Sequence, residues 1–359
     1  MKTDLISGHL GAEITGINLA EPTPLQIDYI NKAWLEHKVL VFRNQNISRE
    51  QHIEFGKSFG DLETHPFAPS PDGYPEIVKI ISNDKVQYAA SNWHSDVTWR
   101  QDPSMGSILR GRVIPAVGGD TSFANTAEAY NRLDPDVKNR VDSLYAIHDF
   151  TRTFGQRMSD EERKKKQEEF PSARHPVIRT HPVTGERGIY TNRPFVSHIE
   201  GIEEKESRHL LNVLERAILD PSIQCRIKWE VDTIVMWDNR IVQHHASNDF
   251  YPQERHVERV TIIGDTPFQT FCFRKKSFIR LDKKTRTRLK ICQRINCLQL
   301  IRSEKKLAII FNPGNSHSSE WLFHLYRTFG KQVPIIFFGL SMLLLMATFV
   351  PIQGQQMSI

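Results

Sequence analysis

Five short β-rich runs, each closed by a turn signal, constrain this chain more than any other feature. They are VLVFRNQ at 39–45, IVKIISN at 77–83, SILRGRV at 107–113, TIVMWDN at 233–239 and VERVTIIGD at 257–265. Gly and Pro clusters punctuate them, as in IPAVGGDT at 114–121 and HPVTGERG at 181–188. Many short strands at this spacing, with only a few helices among them, suggest packed sheets. Helical spacing of apolar residues occurs between them. It predicts a helix over 24–38, two helices over 126–144 broken near Pro135, and a clearly amphipathic one over 203–219. The charge-dense segment 159–170 reads as a solvated helix or a lid. Together these predict an α+β protein built on a β-sandwich or jelly roll, with flanking helices. No internal repeat interrupts the pattern.

The texture changes after Phe268. Residues 269–359 carry 15 Lys and Arg against 3 Asp and Glu, which leaves 32 basic and 39 acidic side chains in residues 1–268. The basic pI thus belongs to the tail, and the body of the chain is acidic. The body has no zinc finger, RNP-like motif or basic recognition helix, so nucleic acid is not its expected partner. Residues 269–332 read as a basic tail, either disordered or the translation of a gene end that was never coding. Residues 333–352 run twenty positions without a charge, enough at about 1.5 Å per residue to span a bilayer core of roughly 30 Å. Arg327 and Lys331 precede that run and no basic residue follows it. If the tail is genuine, the positive-inside rule predicts a tail anchor with a cytoplasmic body. The four cysteines form no CxxC pair, and the N-terminus has no long apolar run, so a reducing compartment is expected.

Chemistry enters with NWHSDVTW at 92–99, where His94 and Asp96 flank one serine. On a strand, positions i and i+2 share a face, so both side chains would converge on one point. An H-x-D of this length is common, and by itself it reads as the polar face of a half-exposed strand. Far downstream, WDNRIVQHHASNDFYPQERHVER at 237–259 supplies His244, His245, Arg255 and Arg259. Two imidazoles and a carboxylate would form a facial triad that leaves coordination positions open, which suits non-haem Fe(II); zinc accepts the same ligand types but favours a closed tetrahedron. Spacing alone does not choose between the tandem histidines.

NWHSDVTW, GGDTSFANTAEAY, THPVTGERGIYTN, WDNRIVQHHASNDF and RVTIIGDTPF, in this order, resemble the taurine dioxygenase (TauD/TfdA) family of Fe(II)/2-oxoglutarate-dependent dioxygenases. The resemblance runs from about Leu5 to Phe268 and covers none of the tail. It implies a double-stranded β-helix, a distorted jelly roll, as a dioxygenase domain over 1–268. It implies His94, Asp96 and His244 as iron ligands, with His245 on the other face of its strand. Arg255, assisted by Thr121, would hold the far carboxylate of 2-oxoglutarate through a planar, permanently charged guanidinium. Arg259, His65, Phe154 and Phe195 would meet the substrate. Residues 255, 257 and 259 share a face if that strand is regular, so two arginines could serve two anions.

The departures lie on the substrate side. A family tyrosine is replaced by Ala68 and a family asparagine by Ala90, so the pocket should be roomier and less polar than one made for taurine. The implied reaction uses O₂, Fe(II) and 2-oxoglutarate to hydroxylate a small anionic sulfonate or carboxylate, releasing succinate and CO₂. The alternatives are an inactive membrane-tethered binding protein of the same fold and a metal-dependent hydrolase on a cupin-like barrel. A homo-oligomer is compatible with all three.

Overall fold

The computed structural model describes residues 1–86, 91–270, 298–303, 306–311 and 335–337. It divides into two compact units, Met1–Gln269 and Thr270–Ile359.

In the first unit a seven-stranded sheet runs in the order Lys2–Leu5, Ala12–Thr15, Val39–Phe42, Ile234–Asp238, Gly106–Val113, Arg255–Ile262, Ile77–Ser82. Every pairing is antiparallel except that of Ala12–Thr15 with Val39–Phe42. Strand periodicity sorts the side chains between two cores. Leu40, Phe42, Ile234, Met236, Val260 and Ile262 enter one core, which they share with Ile30, Trp34, Ile53 and Phe55 of helices Pro24–His37 and Arg49–Lys57. Their neighbours Val39, Val41, Val235, Trp237 and Val257 enter the other. That second core also contains Phe123, Ile227 and Val242, which belong to a smaller sheet ordered Gln224–Ile227, Thr121–Asn125, Val242–Ala246. The two sheets therefore face each other as a sandwich, and the period of two places alternate residues in and out of it.

On the outer face of the small sheet, Ala124 joins a third core with Ala146 and Val196 of the sheet Val196–Ile199, Tyr145–His148, Ala173–Pro176. Helix Glu204–Ile218 adds Leu210, Leu214 and Ile218 to it at helical spacing. The predicted break near Pro135 separates helices Thr126–Arg132 and Pro135–Val141.

Local chemistry explains where the outer helices begin. Thr23 and Ser48 each start a helix with a reciprocal capping box, to Gln26 and Gln51, and Pro24 occupies the first turn where no backbone donor is needed. Trp34 then packs against the large sheet because Gly106 leaves room for it. A Cβ at position 106 would stand 2.4 Å from the Trp34 ring. Helix Asp160–Glu169, the charge-dense segment, buries none of its residues.

One expectation needs correction. His94 is not in a regular strand. It makes a single antiparallel bridge to His244, and residues 96–99 form a turn in which Val97 has φ 46°. In the second unit, the described residues pair as strands. Leu298–Ser303 and Lys306–Phe311 are antiparallel, and Ile335–Phe337 runs parallel to the latter. Those last three residues, which fall inside the stretch expected to be a transmembrane helix, are strand. The rest of 333–352 lies outside the described residues, as does most of 269–332. Among the described residues, no helix is long and apolar enough to cross a membrane.

Candidate active site

His244 lies in strand Val242–Ala246, where alternation sends Val242 and His244 into the sandwich. Its ring sits between Phe123, at 6.1 Å, and Trp237, at 4.8 Å. His245 packs on Trp93, with ring centroids 5.6 Å apart. The backbones of His94 and His244 bond reciprocally, at 3.1 and 2.8 Å, and their rings lie 4.2 Å apart.

Asp96 reaches the same point from the turn. Its Oδ1 is 3.7 Å from His94 Nε2. The ligating atoms of His94, Asp96 and His244 all lie within 4.8 Å of one another, and all three residues are buried. No other group of three such side chains is so placed among the described residues.

The electrostatics prepare these side chains for a cation. Burial pushes both imidazoles down, His244 to about 3, with His94 adding to the effect on His244. Burial pushes the Asp96 carboxyl up, but Arg259, then the two histidines and the Ser107 hydroxyl, outweigh it and hold the group well below the usual carboxylate range. The site thus presents two neutral imidazoles and one carboxylate. His94 Nδ1 donates to the Asn92 carbonyl at 2.7 Å, which leaves the Nε2 lone pair facing Asp96. His244 Nδ1 is buried without a hydrogen-bond partner among the described residues. This donor set fits a divalent transition metal.

Arg259 Nη1 donates to Asp96 Oδ1 at 2.7 Å. The structure therefore places this arginine against the carboxylate of the triad, in addition to sharing the inward face of strand Arg255–Ile262 with Arg255 and Val257. Arg255 is brought to Thr121. Its Nε donates to the Gly119 carbonyl at 2.9 Å, and its Nη2 lies 3.4 Å from Thr121 Oγ1, which also accepts from the Trp229 indole. Gly118 and Gly119 have φ 80° and 74°, a conformation that glycine adopts freely and that turns the chain so Thr121 starts its strand. Thr121 pairs with Ala246 and Phe123 with His244, so the Arg255–Thr121 contact lies roughly 7 Å along the small sheet from the triad. Burial lowers the Arg255 guanidinium to about 10, and it remains charged at neutral pH.

His65, Phe154 and Phe195 also converge here. Phe195 meets the His94 ring at 6.4 Å, Phe154 stacks on Phe195 at 6.3 Å, and His65 is 5.9 Å from Phe154. Phe67, Trp99, Phe150 and Phe170 extend this wall. Those four were not singled out in the sequence, although Trp99 stands inside NWHSDVTW. Nor were Ser107 and Asn239, which bond Asp96 directly. Asn239 lies in WDNR, but no spacing rule connects it to residue 96. Ala90 lies outside the described residues.

A mixed α/β sandwich with a buried His/Asp/His cluster between its sheets defines a metal-dependent enzyme class. Comparison with known proteins identifies it further. The model of the "Taurine catabolism dioxygenase TauD, TfdA family" matches residues 2–261. The chain is 35% identical over 269 residues to an alkylsulfatase of Acinetobacter baylyi, spanning 72% of this chain and 84% of that protein. It is 35% identical over 272 residues to an alpha-ketoglutarate-dependent sulfate ester dioxygenase of Pseudomonas putida, spanning 73% and 89%. A taurine dioxygenase crystal structure from Burkholderia xenovorans aligns with a TM-score of 0.64 at 34% identity, over 75% of this chain and 91% of that one. The chain belongs to the TauD/TfdA family and is an alpha-ketoglutarate (2-oxoglutarate)-dependent dioxygenase.

Proposed function

We propose that this enzyme hydroxylates an alkyl sulfate ester or sulfonate with an apolar chain, using Fe(II), O₂ and 2-oxoglutarate on a double-stranded β-helix. The observation that carries the reading is the meeting of His94, Asp96 and His244 within 4.8 Å, beside both a buried Arg–Thr contact and an aromatic wall. Iron held by these three side chains would supply the oxidising chemistry. The remaining work falls to the chain's own residues. Arg255 and Thr121 hold the far carboxylate of 2-oxoglutarate and set its distance from the triad. Arg259 holds Asp96 and offers positive charge to the substrate anion. His65 stays neutral at physiological pH, pushed down to about 3 by burial and by Arg259, so it presents an uncharged ring to that anion. Phe154 and Phe195 keep water from the reacting C–H bond.

The sulfate-ester preference is supported by the two relatives named for such substrates, and the aromatic wall gives an apolar chain a surface to bury against. The test is succinate formation by the full chain with Fe(II), ascorbate and 2-oxoglutarate, across alkyl sulfates, alkylsulfonates, aryloxyalkanoates and taurine. Medium-chain alkyl sulfates should give the highest coupled turnover. Turnover confined to taurine, or hydrolysis of the esters without O₂, would overturn the reading.

A further inference from the structure

Of the three clustered side chains, Asp96 is the one the sheet does least to hold. His244 sits in a strand and His94 on a bridge to it, whereas Asp96 begins a turn whose next residue has φ 46°. We propose that Asn239 and Ser107 are positioning residues for Asp96, Asn239 fixing its backbone and Ser107 its carboxylate. This rests on the metal reading above.

Asn239 is fully buried. Its Oδ1 accepts from the Asp96 N–H at 2.7 Å and its Nδ2 donates to the Asp96 carbonyl at 2.9 Å, so one side chain takes both main-chain groups of that residue. It substitutes for the strand partner that Asp96 lacks. The amide is held in turn by Ser104, through its carbonyl at 3.0 Å and its hydroxyl at 2.9 Å, and the Asn239 N–H donates to Met105 O at 2.9 Å. Asn239 also stands between strands Ile234–Asp238 and Val242–Ala246, so it registers Asp96 to the strand that carries His244.

Ser107, buried in strand Gly106–Val113, acts one bond further out. A carboxylate rotates in a broad torsional well and does not by itself choose an oxygen. The Ser107 hydroxyl donates to Oδ2 at 2.9 Å and leaves Oδ1 as the oxygen facing His94 Nε2 at 3.7 Å. Arg259 approaches Oδ1 as well, and an ionised oxygen has lone pairs for both an N–H and a metal.

The test uses the full chain and Mn(II) as the probe. The Kd is read by titration, and thermal unfolding is followed with and without the ion. The wild type should bind Mn(II), and His94→Ala should not. Ser107→Ala and Asn239→Ala should each raise the Mn(II) Kd by roughly 10- to 100-fold, the usual cost of losing a partner to a metal ligand. Each should also narrow the gap between the metal-free and metal-loaded melting temperatures. A merely structural role would lower both temperatures together and leave the Kd alone. Ser107→Ala removes a single oxygen, so it keeps the test informative if Asn239→Ala does not fold. Wild-type affinity in Ser107→Ala overturns the inference. Failure of the wild type to bind, or equal binding by His94→Ala, overturns the metal reading and the inference with it.

Discussion

The rings of His94 and His244 lie 4.2 Å apart, and the two residues exchange backbone hydrogen bonds of 3.1 and 2.8 Å. Main chain therefore sets their separation, and the imidazoles are cargo on that frame. His94→Ala and Asp96→Ala should abolish succinate formation coupled to substrate while thermal unfolding stays cooperative. Full activity in His94→Ala would rule out the ligand assignment.

Arg255 is a buried cation whose guanidinium touches Gly119 O and Thr121 Oγ1 and meets no carboxylate among those contacts. Hydrogen bonds to charged groups contribute about 1.5–3 kcal/mol, so Arg255→Ala should raise the KM for 2-oxoglutarate roughly 10- to 100-fold. Thr121→Val should raise it less. Mn(II) affinity should stay near wild type in both variants, which separates this site from the triad.

Acid should unfold this protein through its buried histidines. His52 is pushed down to about 4, chiefly by burial, with its Nε2 3.1 Å from the Ile108 carbonyl. His175 is likewise lowered to about 4 by burial. A histidine depressed in the folded state takes up its proton only on unfolding between its unfolded value, about 6.5, and its folded one. Stability is therefore full above that window and is lost as pH falls through it. Between pH 7 and 5 each such group should remove about 2 kcal/mol. Urea midpoints at the two pH values measure this, and the difference should shrink in His52→Gln.

Gly106 faces the Trp34 ring so closely that a Cβ would stand 2.4 Å from it. Gly106→Ala should destabilise the domain by about 1–3 kcal/mol, the usual cost of overpacking. Combining it with Trp34→Leu should cost less than the two changes summed, because both act on one contact. Melting temperatures of the three variants decide the point.

Much of the architecture was legible because it is written in short-range periods. Alternation in 39–45 and 233–239 sends Val39, Val41, Val235 and Trp237 to one core and Leu40, Phe42, Ile234 and Met236 to the other. Pro24 after Thr23, and Pro135 after Asp134, mark helix starts. Motif order anticipated that His94, Asp96 and His244 would meet at one point. The way Asp96 reaches the histidines was not anticipated, since a turn does the work assigned to a strand.

What the sequence by itself determined is five of the sheet strands and the main amphipathic helices, because their periods depend on residues two to four positions apart, and, through the order of its motifs, the chemical types at the site. Only the tertiary structure decided that Arg259 binds Asp96, that Asn239 and Ser107 hold the same residue, and that Phe67, Trp99, Phe150 and Phe170 join the wall whose Phe195 meets His94. Those contacts join segments remote in the chain, and the register between strands, which no local period encodes, sets which of them meet.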